Sequence, residues 1–526
     1  MLLRAFFMLL IISVAIAITA CGDREGHYAA SGAWTQELVP PIQNATFSLS
    51  KIHLPEAPRE YRDGTHQGFD FFNGSVGRPL AQDEPVVAVD AGEVVRIDHE
   101  YADPGDESLQ FWASQATAAG LLGELALDKL RGRQVWIRHE SGQISRYAHL
   151  SRVHPELQLG DTVEQGQPIG LIGNSGVPPT ADQPEPAPHL HFELWSADGN
   201  HYLGEGLSAL ATHQRVAGIF GSEALPRYAR RVVAGIANGE SAPEPYPPEA
   251  LPEVAFQVDP PASVSAGHAF AAPITWAGDD FAPGDFFALL QGQPLGIIDA
   301  GNGAWILGAM PLTIEAGELN LVVGASDPYG QTLAGNRTIE RAGPGEIPAP
   351  REVSPEIFEL HSDVNLERES RSLGAVVRQS MEINQALWDE SFSAPVDGDV
   401  IQRFGQHIVQ SMLRPAHPLP GVLVETEAGA QVVASNTGRV ALVADLPIRG
   451  TTVAIVHGGG VVSVYGQLAE ASIQVGDEVT RGQRIGSVGQ TGAVSKPMLR
   501  WEMHTAGLAS DPLIWIDQVL PGRADR

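Results

Sequence analysis

The chain has 526 residues, the length of roughly three or four ordinary domains. Its 63 acidic and 33 basic residues give a formal net charge of -30, which argues against a nucleic-acid backbone as partner and favours a well-solvated surface. The hydrophobic content of 43% is normal for a folded globular protein.

Residues 1–20 hold one basic residue, Arg4, followed by an apolar run and then small residues. The run is short for a membrane span, which needs roughly 20 residues. It is typical of an export signal, and an uncleaved signal anchor is the alternative. The stretch ITAC at 18–21 resembles the bacterial lipobox, whose cysteine is acylated after cleavage. We therefore expect a lipoprotein signal peptide over 1–20 and a lipid on Cys21, the single cysteine, which has no internal disulfide partner.

These features predict an exported, membrane-anchored lipoprotein of the cell envelope, on the periplasmic or the cell-surface side. The acylated Cys21 would hold the protein against a lipid bilayer. Residues 21–45 have few apolar side chains at first, and we expect them to form a tether.

Two parts of the chain resemble each other. VVAVDAGEVVRID at 86–98 matches VVASNTGRVALVA at 432–444, and GDTVEQGQPIGLIGNSG at 160–176 matches GDEVTRGQRIGSVGQTG at 476–492. The order of the matching stretches is the same in both copies, which indicates one duplicated domain. Short apolar runs alternate with glycine, aspartate and asparagine turns, a pattern typical of strands. The first copy also holds a stretch with a helical pattern, at roughly 100–133, that the second copy lacks.

The sequence therefore predicts a mainly β protein. We expect two antiparallel β domains, the first with a helical insertion, on either side of a small immunoglobulin-like β-sandwich, plus a helical connector. The predicted ranges are 46–215 for the first domain, 216–252 for a proline-rich linker, 253–345 for the sandwich, 346–390 for the connector and 391–520 for the second domain.

Candidate chemistry starts with PHLHFELW at 188–195. On a strand, residues two apart face the same side, so His189 and His191 point together. In HQGFDFF at 66–72, His66 and Asp70 share one strand face with Gly68, while aromatic residues occupy the other. Catalytic zinc takes three protein ligands from such residues and leaves one position for water. His66, Asp70 and one of the two later histidines would make such a set.

A third element is RYAHL at 146–150, which contributes His149. The motifs HxGxD, YAHL and HLHFE in this order resemble the lysostaphin-type (LytM-like) zinc endopeptidases, which cut peptidoglycan cross-links. The resemblance covers roughly 60–205, and again 391–515 without the catalytic residues. It implies that His66, Asp70 and His191 bind one Zn²⁺ per chain, in the first domain only, and that His149 and His189 are the catalytic pair.

The implied function is that of a zinc metalloendopeptidase, a peptidoglycan hydrolase. Zinc lowers the pKa of bound water to about 7, and a neighbouring imidazole can transfer protons to or from the reacting groups. The division of roles between the two histidines stays open. The alternative is a non-hydrolytic cell-wall binding protein, or an activator of cell-wall amidases that would have an amidase or another regulatory protein as partner.

The second copy has changed all five positions. Aligned on the glycine of the first motif, they read Leu419, Leu423, Gln467, Met498 and Arg500. We predict that this domain holds no metal, because Arg500 would place a positive charge at the cation position. Three residues persist in both copies and are therefore interpreted as structural: Tyr147 as Tyr465, Glu193 as Glu502, and His139 as His457.

Three roles remain open for the second copy. It could bind the cell wall, with Arg500 meeting a carboxylate of a peptide stem. It could activate amidases, as degenerate members of this family do, or it could only pack against the first domain. The turns of GDTVEQGQPIG also resemble lipoyl-like domains of efflux adaptors, but the long helical hairpin of adaptors is missing from the sequence. The insertion, or the proline-rich stretch 176–188, could also cover the groove of the first domain until activation.

Overall fold

The computed structural model describes residues 34–35, 37–59, 64–81, 83–116, 121–179, 185–251, 254–312, 314–343, 349–388, 390–409, 415–518 and 520–521. The predicted signal peptide, Cys21 and the first part of the predicted tether lie outside these ranges. Within them, no helix has the length and apolar character needed to cross a membrane. The prediction of a mainly β fold is confirmed.

The first domain is built on a six-stranded antiparallel sheet with the order β3-β11-β7-β6-β5-β9, next to a three-stranded sheet with the order β4-β10-β8. Its strands are β1 (Pro58–Arg59), β2 (Gly64–Thr65), β3 (Phe69–Phe72), β4 (Pro85–Val87), β5 (Gly92–Ile97), β6 (Val135–His139), β7 (Ile144–Ala148), β8 (Arg152–Val153), β9 (Thr162–Val163), β10 (Pro168–Leu171) and β11 (His189–Trp195). A 3-10 turn covers Lys51–His53.

The predicted helical insertion is present as α1 (Asp106–Gln115) and α2 (Leu121–Leu130). It joins β5 to β6. In the second domain the equivalent strands are joined by a short turn before Gly450, so the insertion belongs to the first domain alone.

The core of the first domain extends into the ranges predicted as tether and linker. Leu38 and Ile42 are buried in the core of the first domain, because these apolar side chains pack under the helix that follows the sheet. That helix, α3 (Ala209–Phe220), lies partly inside the predicted linker, and Val216 and Phe220 are buried in the same core. A further helix, α4 (Arg227–Ala237), and the 3-10 turn Ser222–Ala224 also precede the proline-rich part.

The middle domain is a sandwich of two sheets, with strand orders β12-β14-β18-β17 and β13-β20-β19-β15-β16, around one apolar core. Its strands are β12 (Phe256–Val258), β13 (Ser263–Ser265), β14 (Ala269–Trp276), β15 (Phe286–Leu290), β16 (Gln293–Pro294), β17 (Gly296–Asp299), β18 (Ala304–Ala309), β19 (Gly317–Ser326) and β20 (Thr332–Ala342), with a 3-10 turn at Pro283–Asp285. The connector that follows holds β21 (Arg351–Glu352), α5 (Pro355–Leu360) and α6 (Asp363–Met381).

The second domain repeats the sheet of the first. Its strand path β22-β25-β32-β29-β28-β27-β30 contains the order of the first sheet, with β25 in place of β3 and β32 in place of β11. Its elements are β22 (Asp399–Gln402), β23 (His407–Val409), β24 (Pro415–Pro418), β25 (Gly421–Glu425), β26 (Gln431–Val433), β27 (Gly438–Leu446), β28 (Gly450–Gly458), β29 (Val461–Ala471), β30 (Glu478–Val479), β31 (Arg484–Val488), β32 (Met498–Thr505), β33 (Leu508–Ser510) and α7 (Ile514–Asp517).

Candidate metal centre and active site

Strands β3 and β11 pair antiparallel and bring the candidate ligands together. Their register sets His191 opposite Asp70 and His189 opposite Phe72, and His66 reaches the same point from the loop between β2 and β3. The alternate side chains of both strands, among them Phe69, Phe71, Leu190 and Phe192, are buried in the core below. Each buried aromatic or aliphatic side chain contributes about 1.5–3 kcal/mol, so the apolar face fixes the register that aligns the polar face.

One side-chain atom from each of His66, Asp70 and His191 meets the other two at one point. Nε2 of His66 lies 3.0 Å from Oδ1 of Asp70 and 3.0 Å from Nδ1 of His191, and the last two atoms lie 2.9 Å apart. A tetrahedral zinc with bonds of 2.0–2.1 Å has ligand atoms about 3.3 Å apart. The three residues, all buried, therefore have the spacing of a metal-ligand set.

The hydrogen bonds on the far side of each ring show where the protons lie. Nδ1 of His66 is 2.8 Å from the carbonyl oxygen of Leu54, which only accepts, so this nitrogen carries the proton. Nε2 of His191 is 2.9 Å from Oε1 of Glu193 and donates to it in the same way. Such outer partners are the usual support of metal-bound histidines. Neutral rings held in this way turn two nitrogen lone pairs, together with the Asp70 carboxylate, toward one point.

The pKa shifts leave one ionised carboxylate among the histidines. Burial lowers the pKa of His66 to about 4. For Asp70, burial opposes ionisation, but His66 and His191 outweigh it and hold the pKa well below its usual range. Burial also opposes protonation of His191, yet Asp70 and Glu193 raise its pKa. Asp70 is paired with Arg59 through Oδ2 and turns Oδ1 toward His66 and His191, and this set of two imidazoles and one carboxylate fits zinc.

His149 and His189 stand beside the three converging atoms. Nδ1 of His149 donates to the carbonyl oxygen of Ser175 at 2.9 Å, and Nδ1 of His189 donates to that of Ala187 at 3.0 Å. Burial lowers the pKa of both histidines. Both rings are therefore neutral near pH 7 and present an unprotonated Nε2. Their ring centres are 4.7 Å apart, and Nε2 of His189 is 4.0 Å from Oδ1 of Asp70.

All five predicted site residues line one cavity of about 490 Å³. Its other walls come from the 3-10 turn, the strands β1, β3 and β11, the loop before β3, the end of α2 and the described ends of the stretch 176–188: Ile52, His53, Arg59, Gln67, Phe72, Leu127, Leu130, Arg131, Val177, Pro178, Pro186, Ala187 and Glu193. The volume is typical of a ligand site. The described part of the insertion therefore does not fill the cavity that the five residues line.

The sequence interpretation missed two arginines that hold the site. Arg59 donates to Oδ2 of Asp70 at 2.6 Å, which leaves Oδ1 for the converging set. Arg131 donates to Oε1 of Glu193 at 2.7 Å, and so braces the acceptor of His191. A signal for Arg131 was present, because the dipeptide Arg-Gly that precedes β6 recurs at Arg449 before β28. No signal for Arg59 is evident in the sequence.

The second domain fills the equivalent site with apolar groups and paired charges. Leu419, Leu423 and Met498 form a small buried cluster of their own. Arg500 is buried, and its Nε donates to Oε1 of Glu502 at 2.5 Å. The hypothesis that Arg500 meets a carboxylate of a peptide stem is therefore not supported, because a carboxylate of the chain already occupies it.

The persistent residues have the same partners in both copies. The hydroxyl group of Tyr147 accepts a backbone hydrogen bond at 2.8 Å, and so does that of Tyr465. Each of His139 and His457 bonds a backbone carbonyl through Nδ1 and a serine hydroxyl through Nε2. These contacts support a structural role. Glu193 supports the sheet and, in addition, orients His191.

Comparison with known proteins places both copies in one family. Residues 114–202 and 417–512 match the model of peptidase family M23. The first match contains His149, His189 and His191, while His66 and Asp70 precede it and join the site through β3.

Three relatives illustrate the similarity. The murein hydrolase activator EnvC of Escherichia coli is 34% identical over 132 residues, which cover 25% of this chain and 29% of that protein. The peptidoglycan DD-endopeptidase ShyA of Vibrio cholerae is 30% identical over 115 residues, 22% of this chain and 27% of that protein. The solved catalytic domain of the antimicrobial peptidase lysostaphin from Staphylococcus simulans is 20% identical, with a TM-score of 0.20, over 25% of this chain and 93% of that one.

The two curated proteins are matched over less than a third of their length, so the similarity is that of domains. The chain carries two domains of peptidase family M23. The first brings His66, Asp70 and His191 together with the spacing of a metal-ligand set, and among the described residues the second has no such group.

Proposed function

We propose that the first M23 domain is a zinc-dependent endopeptidase that cleaves the peptide cross-links of bacterial peptidoglycan, and that a lipid on Cys21 holds it at the cell envelope. The observation that carries the proposal is the convergence of His66 Nε2, Asp70 Oδ1 and His191 Nδ1 within 3.0 Å of one another. The relatives of the chain include a peptidoglycan DD-endopeptidase, which is similar over 115 residues.

The residues of the chain divide the work as follows in this proposal. A zinc ion held by His66, Asp70 and His191 would supply Lewis acidity, which polarises a peptide carbonyl and lowers the pKa of water. The unprotonated Nε2 atoms of His149 and His189 can accept a proton from the attacking water and return it to the leaving amine. A protonated imidazole beside the carbonyl can also stabilise the negative charge that develops on its oxygen.

The surrounding residues hold this arrangement. Glu193 keeps the proton of His191 on Nε2, so that Nδ1 faces the metal position. Arg59 neutralises the outer oxygen of Asp70. Phe72 stacks on the ring of His189 with centres 4.0 Å apart, which limits rotation of that imidazole. Such support is what keeps a catalytic group within a fraction of an ångström of its working position.

The test is the release of new amino groups from purified peptidoglycan by protein that lacks residues 1–21. A His191→Ala variant and a chelator-treated sample serve as controls. Release that disappears in both controls supports a zinc endopeptidase. Absence of release by folded, zinc-loaded protein would contradict the proposal and favour the activator alternative, which stimulation of a cell-wall amidase would then test.

For the second domain we propose a packing role without metal. Its Arg500 is neutralised by Glu502, and the helix α6 covers its strands β28 and β29. Zinc stoichiometry that stays at one per chain in the wild type supports the proposal, whereas two ions per wild-type chain would overturn it.

A further inference from the structure

The active-site cavity is closed at one end by side chains that cross it. Arg131 lies at the end of the insertion, and its Nη2 donates to Oε1 of Gln67 on the opposite wall at 2.8 Å. Its Nε meanwhile holds Glu193 on the floor at 2.7 Å. Beyond this bridge, the guanidinium of Arg146 is stacked between Trp136 and Trp195, 4.1 and 4.3 Å from their ring centres. A substrate cannot extend along the sheet in this direction without displacing them.

The other end of the cavity opens toward the sandwich domain. Ile52 and His53 line the active-site cavity and also line a second cavity of about 660 Å³. The second cavity is bounded by the loop that carries Ser48 and Ser50, by residues 247–251 of the proline-rich linker, and by Tyr329 and Gln331 of the sandwich. The two cavities therefore adjoin each other at Ile52 and His53.

The sandwich presents these two side chains on a turn that is fixed to the first domain. The backbone of Pro328 accepts from Tyr228 at 2.8 Å, and Gly330 accepts from Gly77 at 2.9 Å. Within the turn, Oδ1 of Asp327 accepts the backbone N–H groups of residues 329 and 331 at 2.9 and 2.7 Å. The wall of the second cavity is thus held in place from both domains.

Building on the proposed function, we propose that the second cavity is a subsite for the glycan strand that carries the peptide being cleaved. Among the described residues, the bridge from Arg131 to Gln67 blocks one direction, and the sandwich side offers a cavity for the bulky part of the substrate. A half-buried tyrosine ring, a glutamine amide and the hydroxyl group of the exposed Ser50 suit a sugar, whose C–H faces pack on aromatic rings and whose hydroxyl and acetamido groups form hydrogen bonds. The volume lies within the range of ligand sites.

The experiment measures binding, so it does not depend on catalysis. A disaccharide–pentapeptide prepared from peptidoglycan and the same pentapeptide without sugar are each titrated calorimetrically into zinc-loaded protein that lacks residues 1–21. We expect the disaccharide to tighten binding roughly three- to tenfold, the size of one or two new hydrogen bonds. Gln331→Trp, at an exposed position, fills the cavity and should abolish this gain, as should Tyr329→Ala. Gln293→Ala, an exposed glutamine elsewhere on the sandwich, is the matched control and should retain it.

Equal affinities of the wild type for the two probes would overturn the inference, as would a sugar-dependent gain that survives both cavity variants. Either result can be separated from failure of the proposed function, which is read from amino-group release alone. A protein that shows the gain and its loss in the variants, but cleaves nothing, would keep the glycan subsite and remove the endopeptidase.

Discussion

At the scale of single residues, the site depends on which nitrogen of each histidine carries a proton. Glu193 sets this for His191 by accepting from Nε2. The Glu193→Gln variant keeps the shape but removes the charge, and loss of such an outer partner usually costs 10–100-fold in metal affinity. We therefore expect zinc to bind roughly 10–100 times more weakly, as measured by competition with a chromogenic chelator.

Two controls define that result. Glu156→Gln removes a carboxylate from an exposed position in the same domain and should leave zinc affinity unchanged. His189→Ala should keep zinc and lose amino-group release, because this histidine is placed beside the metal position and not in the ligand set. If His189→Ala loses zinc instead, His189 is the metal ligand, contrary to the role proposed for it.

A histidine far from the metal site makes stability depend on pH. Burial lowers the pKa of His457 to about 4, against about 6.5 in an unfolded chain. Between these values the unfolded state binds a proton that the folded state does not, so the stability present above pH 6.5 is lost as pH falls toward 4. The shift corresponds to about 3 kcal/mol. Urea unfolding at pH 7 and pH 4.5 should show a smaller decrease for His457→Gln than for the wild type, and an equal decrease would rule out this histidine as a source.

At the scale of elements, close contact between strand and loop decides whether the ligands meet. A Cβ atom on Gly68 would lie 2.4 Å from the carbonyl oxygen of Phe192, and one on Gly421, the equivalent glycine, 2.2 Å from that of Trp501. Overpacking of this kind costs typically 1–3 kcal/mol and sometimes more. We expect Gly68→Ala to destabilise the first domain by at least about 2 kcal/mol and to weaken zinc binding, since His66 and Asp70 flank this position.

Two control variants test whether the effect on zinc is specific to the first domain. Gly421→Ala should cost similar stability without affecting zinc, because no ligand set lies beside it. Gly218→Ala, in helix α3 with nothing within 4 Å of the added Cβ, should be neutral or stabilising. Thermal unfolding and zinc titration of the three variants test this, and equal effects of Gly68→Ala and Gly421→Ala on zinc would contradict the assignment.

The elements also show which parts of the structure the sequence could predict. The alternation of polar and apolar residues predicted that His189 and His191 share a face, and the repeated motifs predicted the duplicated sheet, because both depend on local spacing. The bridge from Arg131 to Gln67 depends on how the insertion packs on the sheet, which no local pattern encodes. The end of helix α3, from residue 216, fell within the predicted proline-rich linker, although Val216 and Phe220 pack on the core of the first domain.

At the scale of the whole molecule, the two copies of one sheet design carry different groups at the equivalent site. In the first, a carboxylate and two neutral histidines leave room for a cation. In the second, the cations are covalent parts of the chain: Arg449 and Arg500 share Glu502, and Arg449 also binds Glu369 of the connector helix α6. The network that replaces the metal therefore also fastens the connector to the second domain.

Substitution of Glu369 should weaken the attachment of the connector without affecting the metal site of the first domain. In Glu369→Gln two buried arginines share one carboxylate, and breaking a buried pair in this way typically costs about 3–5 kcal/mol. We expect urea unfolding of the second domain at a correspondingly lower concentration, with unchanged zinc affinity in the first domain. Glu367→Gln lies two residues earlier on the same helix, where Glu367 pairs with Arg371 on the surface, and should change stability by less than about 0.5 kcal/mol. If both variants unfold like the wild type, the buried network is not what holds the connector, and the apolar contacts of α6 with β28 and β29 would have to account for its position.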